Sequence, residues 1–199
     1  MKKLLTIGFA TIFMALVADK AFAADTAVWT TLNVSGGIMD NVTLNVQEEL
    51  RFGDIADLSL ARQHTDLSLG FKVNDVVGVT AGYRNTSFSE HRPYVGLGLS
   101  VLRGSVNVDS ASAIELSEFD TLFGRTALTA STNVAGLTLA VSDEVRLNED
   151  GLVHNRASVG LTRSLNNTFA GSVYYMLNST GTELDNHQHV VGFGLNVSM

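Results

Sequence analysis

Several common features are scarce or absent in this sequence of 199 residues. It has no cysteine and one proline. A chain without cysteine cannot form a disulfide scaffold, so its stability must come from a large core or a closed hydrogen-bonded architecture. Beyond the N-terminal stretch, no segment approaches the run of about 18 apolar residues that a membrane-spanning helix needs. The sequence therefore excludes a helical membrane protein and a disulfide-stapled one.

The N-terminus has the pattern of a secretory signal peptide. Lys2 and Lys3 precede an apolar run over residues 4–17, and Ala21-Phe22-Ala23 is a small-x-small cleavage signature. The apolar run is too short to span a bilayer. We therefore predict that residues 1–23 are a signal peptide cleaved near Ala23, and that residues 24–199 are one exported domain.

Basic residues are few in the predicted mature chain. Cleavage removes three lysines and one aspartate, which changes the net charge from −7 to −9. Lys72 is then the only lysine of the predicted mature chain. Nucleic-acid binding needs a basic stripe or patch. The composition therefore excludes nucleic acid as a partner.

Residues 42–52 show the pattern on which the fold prediction depends. Val42, Leu44, Val46, Leu50 and Phe52 alternate with polar residues, and successive strand side chains point to opposite faces. Eleven residues is also close to the 9–11 that a tilted transmembrane strand needs. Residues 137–147 repeat this pattern, with Asp143 in the position of Glu48 as the exception on the apolar face.

The repeat extends to later strands. Ser-Leu-Gly-Phe at 68–71 corresponds to Ser-Val-Gly-Leu at 158–161, and residues 95–101 correspond to 191–197. We infer the internal duplication of a four-strand unit. The fold class predicted is all-β: a single antiparallel transmembrane β-barrel of about 10–12 strands, following a signal peptide. A soluble β-sandwich or lipocalin-like barrel would also alternate, but it needs no second apolar surface.

Our strand assignment gives eleven strands, whereas bacterial barrels have even numbers. Either the short segment 29–35 is not a full wall strand, which gives ten, or a strand is missed, which gives twelve. Residues 105–109 are assigned as a short strand and residues 109–120 as a longer acidic loop. Short turns at one end and longer loops at the other predict a periplasmic and an external end.

The polar faces of these strands would line the lumen. They carry charges of both signs, and eight inward glycines would leave space between them. Opposite charges at this density either pair to close a plug-like interior or form a constriction that selects ions. The predicted lumen charges are Glu49, Arg51, Asp66, Lys72, Arg84, Glu144, Arg146 and Arg156; the glycines are Gly70, Gly78, Gly82, Gly96, Gly98, Gly160, Gly192 and Gly194.

The paired carboxylates Glu48 and Asp143 do not fit a simple wall. A carboxylate at mid-depth in lipid is unfavourable, so we expect them at the external interface or at a bulge that turns them inward.

Histidines fall near the predicted external strand ends: His64, His91, His154, His187 and His189. His187 and His189 would share a face with Asp185, which suggests a weak divalent-metal site. Ordinary rim residues explain them better, so we predict no metal site and no cofactor. A hydrolase site on the rim is a less favoured alternative, and we predict that the protein is not an enzyme.

The predicted external loops are acidic. They would be solvated, or would bind lipopolysaccharide phosphates through divalent cations. Their acidic residues are Asp54, Asp57, Glu90, Glu115, Glu118, Asp120, Glu149, Asp150, Glu183 and Asp185.

The last strand has the form of a barrel-assembly signal. Phe193, Leu195, Val197 and Met199 alternate with small or polar residues and end on a large apolar side chain. This pattern is similar to the one read by the barrel-assembly machinery, although the usual final residue is aromatic. The expected partners are therefore that machinery and the lipid and lipopolysaccharide of the outer membrane, around a monomer.

Short motifs carry a resemblance to a known family. They are Trp-Thr-x-Leu at 29–32, Glu-Glu-Leu-Arg-Phe at 48–52, Gly-Tyr-Arg at 82–84, Arg-Ala-Ser-Val-Gly-Leu at 156–161 and the terminal His-x-His-x-Val-Gly-x-Gly-Leu at 187–195. They resemble the small bacterial outer-membrane barrels classed as a domain of unknown function. A weaker likeness, through Arg-Pro-Tyr at 92–94, is to small monomeric porins for acidic oligosaccharides. The resemblance implies an outer-membrane barrel and supplies no catalytic residue.

These observations lead to one functional hypothesis with an alternative. We expect a narrow channel for small solutes or ions with a charged, glycine-rich lumen. The alternative is a non-conducting structural barrel of the envelope.

Overall fold

A computed structural model describes residues 26–53, 55, 58–87, 90–181, 184 and 186–199; the side chain of Arg103 and the predicted signal peptide lie outside the described part. The described residues form eleven strands: β1 (Thr26–Met39), β2 (Val42–Phe52), β3 (Leu60–Lys72), β4 (Val77–Thr86), β5 (Glu90–Arg103), β6 (Val106–Ser117), β7 (Thr121–Val134), β8 (Leu137–Asn148), β9 (Gly151–Ser164), β10 (Phe169–Thr180) and β11 (Asn186–Ser198).

The strands form one closed barrel in which each strand pairs with its neighbours in the chain. All successive pairs are antiparallel, while β1 and β11 close the barrel as a parallel pair. The pairing runs from Thr26 opposite His189 to Ser35 opposite Ser198. An odd number of strands leaves the first and last running in the same direction, so the closure has to be parallel. The fold class is confirmed, and the number of strands is neither ten nor twelve.

Two strands are longer than the sequence predicted. The segment 29–35 is part of a full wall strand of 14 residues, β1. The predicted loop 109–120 is wrong over most of its length, because β6 continues to Ser117. Serine and alanine on both faces of β6 weaken its alternation, and this concealed the strand.

The outer face of the barrel is apolar. Large side chains remain exposed there on every side, including Leu67 at 51%, Val95 at 59%, Leu128 at 55%, Val141 at 55% and Phe193 at 50%. Such a band is typical of a barrel wall that faces hydrocarbon rather than water. None of the described residues forms a helix that is long and apolar enough to cross a membrane.

The connections between strands differ slightly in length at the two ends of the barrel. We name as the turn end the one with connections 40–41, 73–76, 104–105, 135–136 and 165–168, and as the loop end the one with 53–59, 87–89, 118–120, 149–150 and 181–185. Gly104 and Gly136 have positive φ values of 64° and 79° in tight turns of the turn end. The loop-end connections are only slightly longer, so the external orientation of the loop end stays a prediction.

The duplicated units correspond in three dimensions. Strands β2–β5 and β8–β11 run in matching directions around the barrel. The pairing of β2 with β3 shifts between Arg51 and Phe52, and the pairing of β8 with β9 shifts between Arg146 and Leu147. These bulges fall at equivalent positions of the two repeats.

Candidate functional site

Strand alternation brings charged side chains from most of the wall into the lumen, nearer the loop end than the turn end. Seven of the nine arginines in the sequence, all within the described part, point inward there together with five carboxylates. We call this set the charged belt: Arg51, Arg62, Arg84, Arg92, Arg125, Arg146, Arg156, Glu49, Asp66, Glu90, Glu115 and Glu144.

Glu115 of β6 is the most buried member of the belt. Its side chain is 2% exposed, and three arginines from three strands surround it. The distances from its carboxylate oxygens are 3.0 Å to Arg125, 3.5 Å to Arg146 and 3.7 Å to Arg84. A buried carboxylate needs such partners because leaving it unpaired would cost several kcal/mol. Glu115 of β6 is therefore connected by ion pairs to strands β4, β7 and β8.

Other pairs continue the belt on either side of Glu115. Arg84 contacts Asp66 at 2.9 Å, and the Tyr94 hydroxyl donates to the same carboxylate at 2.7 Å. Glu144 contacts Arg156 at 3.1 Å and Arg125 at 3.6 Å. The belt is thus a chain of ion pairs across neighbouring strands.

Two aromatic rings hold arginines against the wall. The Arg51 guanidinium lies 3.8 Å from the Trp29 ring centre, and Arg146 lies 3.9 Å from the Phe123 ring centre. Trp29 is 3% exposed and packs with Ala27, Met176 and Val190. These cation–π contacts fix the two guanidinium groups in place.

At the loop end of the belt lies a cavity of about 370 Å³. Its lining includes Arg51 and Arg62 together with amide and hydroxyl side chains such as Asn178, Gln188 and Thr180. Arg62 is the most exposed arginine among the ion pairs of the belt, at 48%, and its contact with Glu90 is 3.8 Å long. This cavity therefore offers a guanidinium group and several hydrogen-bonding groups to a solute.

At the turn end lies a second cavity, of about 450 Å³. Glycine, serine and threonine form much of its inner lining, including Gly70, Gly78, Gly98 and Ser100. The belt thus lies between two cavities, one at each end of the lumen.

Seven of the eight predicted lumen charges lie in the belt, and Lys72 does not. Lys72 contacts Asp75 at 2.7 Å in the turn that follows β3. This hydrogen bond and the lysine charge hold the pKa of the exposed Asp75 carboxyl below its ordinary value. Lys72 lies at the turn end because it is the last residue of its strand.

The sequence did not identify four belt members as lumen sites. Glu90 and Glu115 were assigned to loops, whereas both lie in strands and point inward. Arg62 was assigned to a loop, and Arg92 was not selected. Arg125 was expected to point inward but was left out of the predicted lumen charges, because the alternation of its strand is weak. Glu115 is separated from Asp109 and Ala113 by an even number of residues in β6, so the three side chains lie on the same face of the strand. This spacing is the signal that would have identified Glu115 as inward.

The predicted inward glycines have two different roles. At Gly70, Gly78 and Gly98 an added Cβ would meet no atom closer than 3.5 Å, so these positions do leave space. At Gly82 and Gly192 an added Cβ would collide with the rings of Tyr94 and Tyr174. The two tyrosines fill the lumen at those positions, so glycine there serves packing.

The expected bulge that would turn Glu48 and Asp143 inward is not found. Both face outward, because the bulges occur later, after Arg51 and Arg146. Their position at the external interface stays a prediction. Each has a hydrogen-bond donor on the next strand: Thr65 Oγ1 donates to Glu48 at 2.7 Å, and Asn155 Nδ2 donates to Asp143 at 2.8 Å. A hydrogen bond from the neighbouring strand lowers the free-energy cost of an outward-facing carboxylate.

The histidines divide between the two faces. His64 and His154 point inward and bond to Thr86 and Asn178, while His91, His187 and His189 point outward. His187 contacts Ser179 at 3.0 Å and His189 contacts Tyr175 at 2.5 Å. The described residues contain no group of three or more potential metal ligands, and Asp54, Asp57, Glu183 and Asp185 lie outside the described part.

A closed all-β barrel with a charged belt across its lumen and an apolar outer face has the architecture of a transmembrane-type β-barrel. Residues 26–188 match the family model described as "Protein of unknown function (DUF2490)", so the chain belongs to that family and the predicted resemblance is confirmed. No curated protein matches the chain.

Solved structures of small porins are similar in fold. The NanC porin aligns with a TM-score of 0.63 and 12% identity over 89% of this chain and 96% of that one. The "KdgM porin in complex with disordered oligogalacturonate" aligns with a TM-score of 0.52 and 13% identity, over 74% and 82%. These likenesses confirm the fold.

Proposed function

We propose that the protein is a narrow channel of the outer membrane for small solutes, with the charged belt as its constriction. The observation that carries this proposal is the position of the belt, with a cavity on each side of it. Rings of charged side chains select permeating species in other channels. The apolar outer face supports a location in the membrane, and the predicted signal peptide supports export.

The charges of the belt favour anionic solutes. Seven arginines face five carboxylates, so the constriction is positive although the whole chain is negative. The loop-end cavity adds hydroxyl and amide side chains that match a hydroxylated solute. The oligogalacturonate named for the KdgM porin is a solute of this chemistry. We therefore favour small hydroxylated acids as the permeating class.

Single-channel recording on refolded protein in a planar bilayer tests this function. Under a salt gradient across the bilayer, the protein should give discrete conductance steps and a reversal potential of the sign that anion selectivity produces. A bilayer treated with the same detergent without protein is the control. A current no larger than that of this control would overturn the channel, and cation preference would overturn the favoured solute class.

The alternative function is a non-conducting envelope barrel. The ion pairs of the belt favour it, since paired side chains that cross the lumen can close it. In this reading the partners are still the barrel-assembly machinery and the lipid and lipopolysaccharide of the outer membrane. Folded protein that stays silent in the bilayer would support it.

A further inference from the structure

The outer face of the barrel carries a row of four polar residues in each repeat. The first row is Glu48, Thr65, Asn85 and His91, which are direct neighbours across β2, β3, β4 and β5. The second is Asp143, Asn155, Ser179 and His187, on β8 to β11; the last three are direct neighbours, whereas Asn155 lies diagonally across from Asp143, whose register partner is Ala157. We call these rows the outer tracks. Each runs from a carboxylate to an imidazole.

Hydrogen bonds join the side chains within each track. In the first, Thr65 donates to Glu48 at 2.7 Å, and Asn85 contacts His91 at 3.4 Å. In the second, Asn155 donates to Asp143 at 2.8 Å, and Ser179 contacts His187 at 3.0 Å. The same four kinds of group thus occur on two sides of one barrel, with the carboxylate and the imidazole at the ends and the hydroxyl and the amide in opposite order between them.

The surroundings of the tracks are apolar. Leu32 at 43% and Leu67 at 51% exposure lie beside Glu48, and Leu128 and Val141, both at 55%, lie beside Asp143. Polar groups on a lipid-facing wall are unfavourable unless something pairs with them. Glu48 Oε1 is buried and has no hydrogen-bond partner within the described part of the chain. Among the described residues that oxygen is an acceptor without a donor, and the Glu48 side chain must rotate to present it to a donor outside the wall.

Aromatic side chains stand at the histidine end of each track. His91 lies 5.9 Å from the ring of Tyr83 and 6.5 Å from that of Phe119, and its Nδ1 contacts the Tyr83 hydroxyl. Beside the second track, the rings of Tyr175 and His189 are 6.0 Å apart. Tyrosine and histidine at this level fit the headgroup region of a bilayer, where one end of a ring is apolar and the other polar.

We propose that the two outer tracks bind lipids with a hydroxyl-rich, sugar-like headgroup, one lipid to each track. Hydroxyl groups both donate and accept, so they match a row in which carboxylate, amide, hydroxyl and imidazole alternate. The exposed leucines and valines beside each track would contact the acyl chains. This inference rests on the membrane location in the proposed function and is independent of conduction.

A phosphate headgroup fits the tracks less well. Each track has a carboxylate and no lysine or arginine, and Glu118 adds a second carboxylate, which accepts from the His91 backbone at 2.8 Å. An anionic lipid would meet repulsion there, whereas arginine or lysine is the usual partner of phosphate. Charge complementarity therefore selects a neutral, hydroxylated headgroup.

The test compares two lipids that share acyl chains, a monogalactosyl diacylglycerol and a phosphatidylglycerol. Refolded mature protein in detergent is titrated with each, and native mass spectrometry counts the lipids retained by each barrel. The wild type should retain two galactolipids in preference to phosphatidylglycerol. Since each carboxylate is a charged hydrogen-bond acceptor for the headgroup, Glu48→Leu with Asp143→Leu should weaken galactolipid binding about tenfold or more.

Matched variants separate recognition from general lipid adhesion. Each single substitution should leave one galactolipid, and Ser112→Ala, which removes an outward hydroxyl bonded to Thr126 outside both tracks, should leave two. If the leucine variants do not fold, the isosteric pair Glu48→Gln with Asp143→Asn provides the comparison. Equal retention of the two lipids, or undiminished galactolipid binding by the double variant, would overturn the proposal.

Discussion

The ring of Tyr174 occupies the space that a Cβ atom on Gly192 would need. These residues are direct neighbours on β10 and β11, and Gly192 also lies opposite Trp29 across the parallel closure. An aromatic side chain laid over a glycine on the adjacent strand is a known way to stabilise a sheet with a glycine in it. The contact therefore fixes packing at the point where the barrel closes.

We expect Gly192→Ala to destabilise the barrel by about 1–3 kcal/mol, the usual cost of overpacking a fitted site. Gly171→Ala is the matched control, because no atom lies within 4 Å of the added Cβ there. Urea unfolding in detergent micelles measures both. Equal midpoints for the two variants would show that Tyr174 moves aside without cost.

Glu115→Gln should make the belt more positive and leave three arginines without their shared partner. The reversal potential in a salt gradient should shift further to the anion side. Loss of a buried ion-pair partner should also destabilise the barrel by about 3 kcal/mol. Glu115→Asp, which keeps the charge, is the control for selectivity. A conducting wild type with an unchanged reversal potential in Glu115→Gln would show that Glu115 does not act on permeation.

The sequence predicted the fold well because strand alternation depends on local spacing. The inward positions of Glu49, Arg84 and Arg156 follow directly from parity within their strands. Parity is uninformative where small residues occupy both faces, and for this reason the second half of β6, which contains Glu115, was taken as a loop. The bulge proposed for Glu48 was wrong because the sequence does not show where along a strand a bulge occurs, and here it follows Arg51. The packing of Tyr94 and Tyr174 on glycine depends on the register between strands, which no single strand encodes.

Deletion of residues 186–199 should abolish folding into the membrane. β11 pairs with β10 on one side and with β1 on the other, so its loss opens the barrel and leaves two edges without partners. Unpaired strand edges are not tolerated in hydrocarbon. Heat-modifiable migration on a gel, which reports the folded barrel, measures the outcome. A truncated chain that still migrates as a folded barrel would contradict the parallel closure.

Thr65 should stabilise the barrel through its hydrogen bond only while Glu48 is present to accept that bond. Thr65→Val keeps the volume of the side chain but leaves the carboxylate without its donor, at a cost of about 1–3 kcal/mol. Glu48→Leu removes the carboxylate from an apolar wall, so its effect should be neutral or stabilising. In the double variant, Thr65→Val should add little, because no acceptor remains beside it.

A double-mutant cycle measured by urea unfolding in lipid vesicles gives the coupling between these two side chains. The pair of Asp143 with Asn155 repeats the measurement in the second half of the barrel, with Leu replacing each residue. Because each carboxylate accepts a hydrogen bond from the adjacent strand, both cycles should give coupling of the same sign. Independent effects of Glu48→Leu and Thr65→Val would show that the hydroxyl does not stabilise the outward carboxylate.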